Sequence, residues 1–66
     1  MKVTLNGKET ELNEALTIQE LLLNMKLKPE IVACELNLKI LKRKEFAATL
    51  LREGDTIEIL QMIGGG

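Results

Sequence analysis

Hydrophobic and polar residues alternate in the first part of the chain. Met1, Val3 and Leu5 fall on one side and polar residues on the other, which is the two-residue period of a half-buried strand. An Asn-Gly pair at residues 6–7 follows, and both residue types tolerate the positive φ of a tight hairpin turn. Residues 8–12 return as a more polar strand. The chain is therefore predicted to open with a β-hairpin.

A helix is predicted next, at about Thr17 to Met25. Thr17 and Glu20 have the spacing of a capping box, in which each side chain accepts a hydrogen bond from backbone donors at a helix start. Pro29 is expected to prevent the helix from continuing, because proline lacks the backbone N–H. Four apolar side chains recur at helical spacing and are expected to pack on the sheet: Ile18, Leu21, Leu22 and Met25.

The middle of the chain has the pattern of a buried strand and a short return strand. Residues 31–36 are apolar on both faces apart from Glu35, which predicts a strand inside the sheet. Asn37 and Leu38 are predicted to form a turn, and residues 39–41 a short strand. This second pair would extend the sheet beyond the first hairpin.

The segment before the last strand is predicted to be irregular. Residues 42–45 are interpreted as a solvated loop because all four are charged. Residues 45–51 are predicted to make a short helical turn that carries Phe46 and Leu50 inward. A Glu-Gly-Asp turn at residues 53–55 would then lead into the final strand.

The final strand completes the fold prediction. The run from Thr56 to Met62 places Ile57 and Ile59 on the inward face. The order of elements predicts an α+β domain over residues 1–62, in which one main helix and a short helical turn cover a mixed sheet. The first and last strands can lie parallel at its centre because the helix-bearing segment provides a crossover. That arrangement is a β-grasp.

The other face of the final strand carries Leu60 and Met62. Both could form an exposed apolar patch for partner docking, and methionine suits a surface that fits more than one partner. The alternative is that both pack under the loop of residues 38–46 or in a crystal dimer. The sequence leaves these two interpretations open.

Composition excludes several classes of function. Nine basic and ten acidic residues give a net charge of −1, and without a basic patch or stacking aromatics nucleic-acid binding has little support. No apolar run approaches the length of a membrane span. Histidine is absent, which excludes Cys/His catalysis and ordinary His-containing metal sites. The chain is expected to bind no cofactor or metal by itself.

Cys34 is the single cysteine, so no internal disulfide can form and a cytoplasmic location is expected. Its neighbours are apolar, with no adjacent Lys or Arg to lower the pKa of the thiol. A buried structural role is therefore favoured over sulfur chemistry at this residue.

The C-terminal end carries the most distinctive feature, Ile63-Gly64-Gly65-Gly66. Glycine has no side chain and loses much entropy when fixed, so residues 63–66 are predicted to be a flexible tail. Fully extended, these residues reach at most about 13 Å. Such a tail is slim enough to pass down a narrow channel into another protein's active site. Considered alone, three glycines are more often only a flexible end, and the rest of the sequence is what favours a function for them.

Taken together, these features resemble the ThiS family, the sulfur carriers of thiamin biosynthesis with a ubiquitin-like β-grasp fold. The resemblance covers the whole chain, and it departs from the family pattern at Leu38, Lys42 and Phe46, in the loop and away from the tail. It rests on these segments: Asn6-Gly7, Thr17-Ile18-Gln19-Glu20-Leu21-Leu22, Val32-Ala33-Cys34-Glu35-Leu36-Asn37, Glu53-Gly54-Asp55-Thr56-Ile57-Glu58-Ile59 and Gln61-Met62-Ile63-Gly64-Gly65-Gly66.

The resemblance implies a role for the tail. Gly66 would be the terminus that a ThiF-like enzyme adenylates with ATP, and its carboxylate would become a thiocarboxylate that donates sulfur for thiazole synthesis. Gly64, Gly65 and Gly66 would enter the partner's active site, while Leu60, Met62 and Ile63 would contact the partner. A thiazole synthase and a sulfur-donating enzyme would be further partners. The chain would be a protein cosubstrate and not an enzyme.

Two alternatives stay open. A carrier for molybdopterin or another sulfur-bearing product shares the fold and the tail, although such proteins usually run longer. A ubiquitin-like binding or conjugating module would use the glycines for amide links or not at all.

Overall fold

Residues 1–62 of the computed structural model are described, and they contain five strands and one α-helix. The predicted tail at residues 63–66 lies outside the described part. Two short 3-10 helices, Pro29–Ile31 and Arg43–Glu45, occupy connections. The main elements are β1 (Lys2–Leu5), β2 (Lys8–Glu11), α1 (Ile18–Asn24), β3 (Val32–Leu36), β4 (Lys39–Leu41) and β5 (Thr56–Gln61).

All five strands form one mixed sheet in the order β2-β1-β5-β3-β4. β1 and β5 are parallel neighbours, with Thr4 opposite Thr56 and Leu5 opposite Ile57, and the other pairs are antiparallel. The parallel pair at the sheet centre requires a crossover, which the segment containing α1 supplies. The predicted mixed sheet with one covering helix is therefore confirmed.

The first hairpin turns where the Asn-Gly pair predicts. Asn6 and Gly7 have φ values of 50° and 79°. The Asn6 carboxamide oxygen also accepts a hydrogen bond from the Ile59 backbone N–H at 2.7 Å. Asn6 therefore both turns the hairpin and attaches it to the central strand β5.

The α1 helix begins at the predicted capping box. The Thr17 hydroxyl accepts from the Glu20 backbone N–H at 3.1 Å, and the Glu20 carboxylate accepts from the Thr17 backbone N–H at 2.9 Å. The helix ends at Asn24, before Pro29, because Lys26 adopts a φ of 60°. Pro29 instead begins a 3-10 helix, where its missing N–H costs nothing.

The core lies between α1 and one face of the sheet. Burial of each large aliphatic side chain contributes about 1.5–3 kcal/mol relative to exposure, so this layer is the main source of stability. The predicted inward residues of α1 and β5 are all in or against it. The buried hydrophobic residues are Val3, Leu12, Leu16, Ile18, Leu21, Leu22, Val32, Cys34, Phe46, Leu51, Ile57 and Ile59.

The segment before β5 differs from its prediction. The expected solvated loop contains a 3-10 helix, and the Glu45 carboxylate accepts from the Lys42 backbone N–H at 2.7 Å. Phe46 points inward as predicted, but the prediction for Leu50 is wrong, since its side chain is 52% exposed. Leu50 pairs with Thr17 in an isolated β-bridge, so the backbone is extended there and the next residue, Leu51, turns inward.

Cys34 lies in the core on β3, with 1% of its surface exposed. Burial away from solvent, with a smaller contribution from the negative charge of Glu35, raises the pKa of the thiol to about 11. The thiol is therefore protonated and a poor nucleophile at neutral pH. The structural role predicted for Cys34 is confirmed.

The turn between β3 and β4 places a leucine in the left-handed region. Asn37 and Leu38 have φ values of 51° and 72°. Asn37 is held by two hydrogen bonds, from its Nδ2 to Asp55 at 3.0 Å and from the Thr56 backbone N–H to its Oδ1 at 2.9 Å. Leu38 is 88% exposed, so burial does not offset the strain of its backbone.

We expect Leu38→Gly to raise the free energy of unfolding by about 1 kcal/mol, because glycine adopts positive φ without steric cost. The melting temperature should rise by about 4–8 °C, measured by circular dichroism. Lys39→Gly, at the next position within β4, should lower stability instead. A lower melting temperature for Leu38→Gly would show that the leucine side chain stabilises the turn.

Stability should also depend on the Cys34 thiol at high pH. A thiol pKa raised from 9.0 to about 11 favours the neutral form in the folded state, so its contribution is complete below about pH 9 and lost as pH rises to about 11. Urea unfolding between pH 8 and pH 11 should therefore show wild type losing more stability than Cys34→Ala. Parallel pH profiles for the two proteins would contradict this expectation.

Candidate functional site

The candidate site lies on β5 and at its C-terminal end, just before the predicted tail. The strand is hydrogen-bonded to β1 on one side and to β3 on the other. Beyond the strand, the Met62 backbone N–H still donates to the Ile31 carbonyl at 2.6 Å. The backbone is therefore held on the domain as far as Met62. The predicted tail residues Ile63, Gly64, Gly65 and Gly66 lie outside the described residues.

The two faces of β5 differ in exposure as the alternation predicts. Ile57 and Ile59 are buried in the core, while Leu60 is 68% exposed and Met62 is 53% exposed. Within the single chain both side chains are exposed, so neither packs under the loop of residues 38–46. Their role in docking, together with Ile63, stays a prediction.

Further residues join Leu60 on the outer face of the sheet, which is the face away from α1. Ala33 lies directly opposite Leu60, and Glu35 lies directly opposite Glu58, across β3 and β5. Ile40 of β4 pairs with Glu35 and is 76% exposed. These five residues, together with Cys34 and Ile59, line a depression of about 320 Å³.

Part of this arrangement could not be read from the sequence. Alternation along each strand indicates that Glu35, Glu58 and Leu60 face outward, but the register between β3 and β5 decides which of them meet. Ile40 lies in a predicted three-residue strand, too short for its alternation to assign a face. The depression is therefore a feature that only the assembled sheet reveals.

Residues 1–62 offer little other candidate chemistry. Within residues 1–62, no group of three or more His, Cys, Asp or Glu is placed to hold a metal ion. Over the same residues, there is no helix whose length and hydrophobicity together would let it span a bilayer. Cys34, with its buried and protonated thiol, offers no nucleophile. The outer face and the end of β5 are therefore the part of the domain best suited to a function.

Comparison with known proteins identifies the family. The family model described as "ThiS family" matches residues 3–66. The sulfur carrier protein ThiS of Bacillus subtilis is 36% identical over 63 residues, which is 94% of this chain and 96% of that protein. The crystal structure of the thiamine biosynthesis protein ThiS from Geobacter metallireducens superposes with a TM-score of 0.85 at 40% identity and covers both chains completely.

A thiazole synthase of Magnetococcus marinus is a similar protein of a different size. It is 38% identical to this chain over 66 residues, and the chain spans 20% of the length of that synthase. The matches in family model, full-length relative and solved structure agree with the fold and with the segments quoted from the sequence. The chain belongs to the ThiS family, that of the sulfur carriers of thiamin biosynthesis, and has its ubiquitin-like β-grasp fold.

Proposed function

We propose that this chain carries sulfur on its C-terminal carboxylate for the formation of the thiazole of thiamin. Gly66 is adenylated with ATP by a ThiF-like enzyme, and a sulfur-donating enzyme then converts the acyl-adenylate to a thiocarboxylate. The thiocarboxylate delivers its sulfur to a thiazole synthase. Membership of the ThiS family over residues 3–66 is the observation that carries this proposal.

The chemistry explains why a carboxylate needs a partner enzyme. A carboxylate is a poor electrophile because its negative charge is delocalised over two oxygens. When its oxygen attacks the α-phosphorus of ATP, pyrophosphate leaves and the carboxyl carbon gains AMP as a leaving group. A sulfur nucleophile can then displace AMP. The chain supplies the carboxylate and the recognition surface, while nucleotide binding belongs to the partner.

The attachment of β5 supports a presenting role for the domain. The backbone is held by hydrogen bonds up to the Met62 amide, so residues 63–66 start from a fixed point on the sheet. Four extended residues reach about 13 Å from that point. Gly64, Gly65 and Gly66 add no side chains, which fits entry into a narrow active site. We assign these three glycines to that entry.

Two further features support the partners and the location. Proteins named thiazole synthase contain a region similar to this whole chain, which supports association of the carrier with a thiazole synthase. The single, buried cysteine fits a reducing compartment, and we place the protein in the cytoplasm. The chain acts as a protein cosubstrate and binds no cofactor of its own.

Leu60, Met62 and Ile63 are proposed to contact the adenylating enzyme beside its active-site channel. Leu60 and Met62 are exposed apolar side chains at the end of the last strand, immediately before the tail. Burying them on a partner would remove apolar surface from water and fix the direction in which the tail leaves. Docking and tail entry would then occur in one binding event.

The proposed function predicts a modified terminus. In protein isolated from its own host, mass spectrometry should find one carboxylate oxygen of Gly66 exchanged for sulfur. Gly65→Val should lower adenylation by a cognate ThiF-like enzyme by about 100-fold or more, because its side chain misplaces the carboxylate in the channel. The melting temperature of the variant should not change.

Gly64→Ala serves as the control, since it adds one methyl group before the final Gly-Gly pair and should keep most of the activity. An amide link to a lysine of another protein would instead indicate conjugation. Normal adenylation of Gly65→Val would contradict the steric role given to the tail.

The docking assignment predicts a loss of affinity without a loss of stability. Replacing both Leu60 and Met62 by serine should weaken binding to the adenylating enzyme at least about tenfold, measured by calorimetry. The free energy of unfolding should change by less than about 0.5 kcal/mol, because both side chains are exposed. Leu23→Ser, which removes a leucine 61% exposed on α1, should leave binding unchanged. A large fall in stability of the double variant would assign both residues to the core.

A further inference from the structure

Two carboxylates face each other on the outer face of the sheet. Glu35 and Glu58 are direct partners in the antiparallel register of β3 and β5. In such a pair the Cβ atoms are about 4.5–5.5 Å apart, and like charges at this position destabilise the sheet. Opposed glutamates are therefore unfavourable for the domain alone.

The domain supplies no cation to offset this repulsion. The only ion pair within 4 Å that the structure shows among residues 1–62 joins the Met1 amine to Glu11, at 3.0 Å. Four basic residues lie near β4, but none places a nitrogen within that distance of Glu35 or Glu58. They are Lys39, Lys42, Arg43 and Lys44. The negative charge of the pair is available to another molecule.

Apolar side chains border the same two carboxylates. Ile40 pairs with Glu35 from β4, and Leu60 follows Glu58 along the same face of β5. Together with Ala33 they surround the depression of about 320 Å³. Long basic side chains suit such a place, because their methylene groups pack on apolar surface while their charged end binds carboxylates.

We propose that this depression receives an arginine or lysine side chain of the adenylating enzyme. The inference rests on the proposed function and extends it by naming the chemistry of the contact. The cationic group binds between Glu35 and Glu58, and its methylene stem packs against Ile40 and Leu60. Arginine fits best, since its planar guanidinium can donate to both carboxylates at once.

The proposed contact lies close to the point where the tail begins. Glu58 lies four residues before Met62, where the last described backbone hydrogen bond holds the chain. At roughly 3.3 Å per strand residue, the charge contact and the start of the tail are about 13 Å apart. The contact would therefore orient the rigid domain while the glycines enter the active site.

Two readouts with opposite signs test the inference. The double variant Glu35→Gln/Glu58→Gln should bind the cognate ThiF-like enzyme about threefold to tenfold more weakly, with a smaller dependence on salt concentration. Its melting temperature should rise by a few degrees, because the repulsion between the strands is removed. Calorimetry at two salt concentrations and thermal unfolding measure both effects.

A matched control removes the same number of charges elsewhere. Glu9→Gln/Glu14→Gln changes two exposed glutamates: Glu9 lies on the outer face, but on β2 at the edge of the sheet opposite β4, and Glu14 lies on the loop before α1. It should leave both the affinity for the enzyme and the salt dependence close to those of wild type. A loss equal to that of Glu35→Gln/Glu58→Gln would indicate a general effect of net charge and overturn the inference.

The remaining outcomes separate this inference from the proposed function. If the wild-type chain is adenylated and Glu35→Gln/Glu58→Gln has unchanged affinity, the docking contact is wrong and the carrier function stands. If wild type is neither bound nor adenylated, both are wrong. A wild-type dimer in sedimentation that the double variant abolishes would assign the depression to a second copy of the chain and overturn the inference.

Discussion

The parallel pairing of β1 and β5 at the centre of the sheet is the constraint on which the rest of the structure depends. It is made by the Thr4 backbone N–H to the Asp55 carbonyl and by the Asn6 backbone N–H to the Ile57 carbonyl, each at 2.8 Å. Two parallel strands cannot be joined by a tight turn, so the chain between them must cross the sheet, and α1 covers one face as it does so. The same pairing places β5 in the interior of the sheet, hydrogen-bonded to β1 on one side and to β3 on the other.

One face of this small sheet packs in the core and stabilises the fold, and the other carries exposed side chains. A chain of about 60 residues buries only about 60% of the surface that it exposes when unfolded, so most of its large apolar side chains are needed in the core. The buried hydrophobic residues cluster under α1, including Cys34, whose thiol serves packing. Exposed Ile40, Leu60 and Met62 contribute little to that core. This exposed apolar surface is the part of the domain to which the proposed docking contacts are assigned.

Local signals in the sequence predict most of the fold, whereas the site depends on how distant segments align. The Asn-Gly turn and the capping box of Thr17 are set by residues within four positions of one another. A helical period predicts the wrong side for Leu50, because the segment is extended by its bridge to Thr17, 33 residues earlier in the chain. The meeting of Glu35 with Glu58 depends on strand register, which no short pattern encodes. The family was identifiable because its sequence signals are concentrated in turns, caps and the tail.

The direction of the central strands also separates the two ends of the domain. Because β1 and β5 are parallel, the start of β1 and the end of β5 lie at opposite ends of the strands. At the start of β1, the Met1 amine is held by two hydrogen bonds, which it donates to the Leu12 carbonyl at 2.8 Å and to the Glu11 carboxylate at 3.0 Å. An affinity tag or a covalent link to a support at Met1 would displace those two hydrogen bonds. It would leave the contacts at the end of β5 unchanged. The protein can therefore be immobilised through its amino end with the end of β5 directed away from the support.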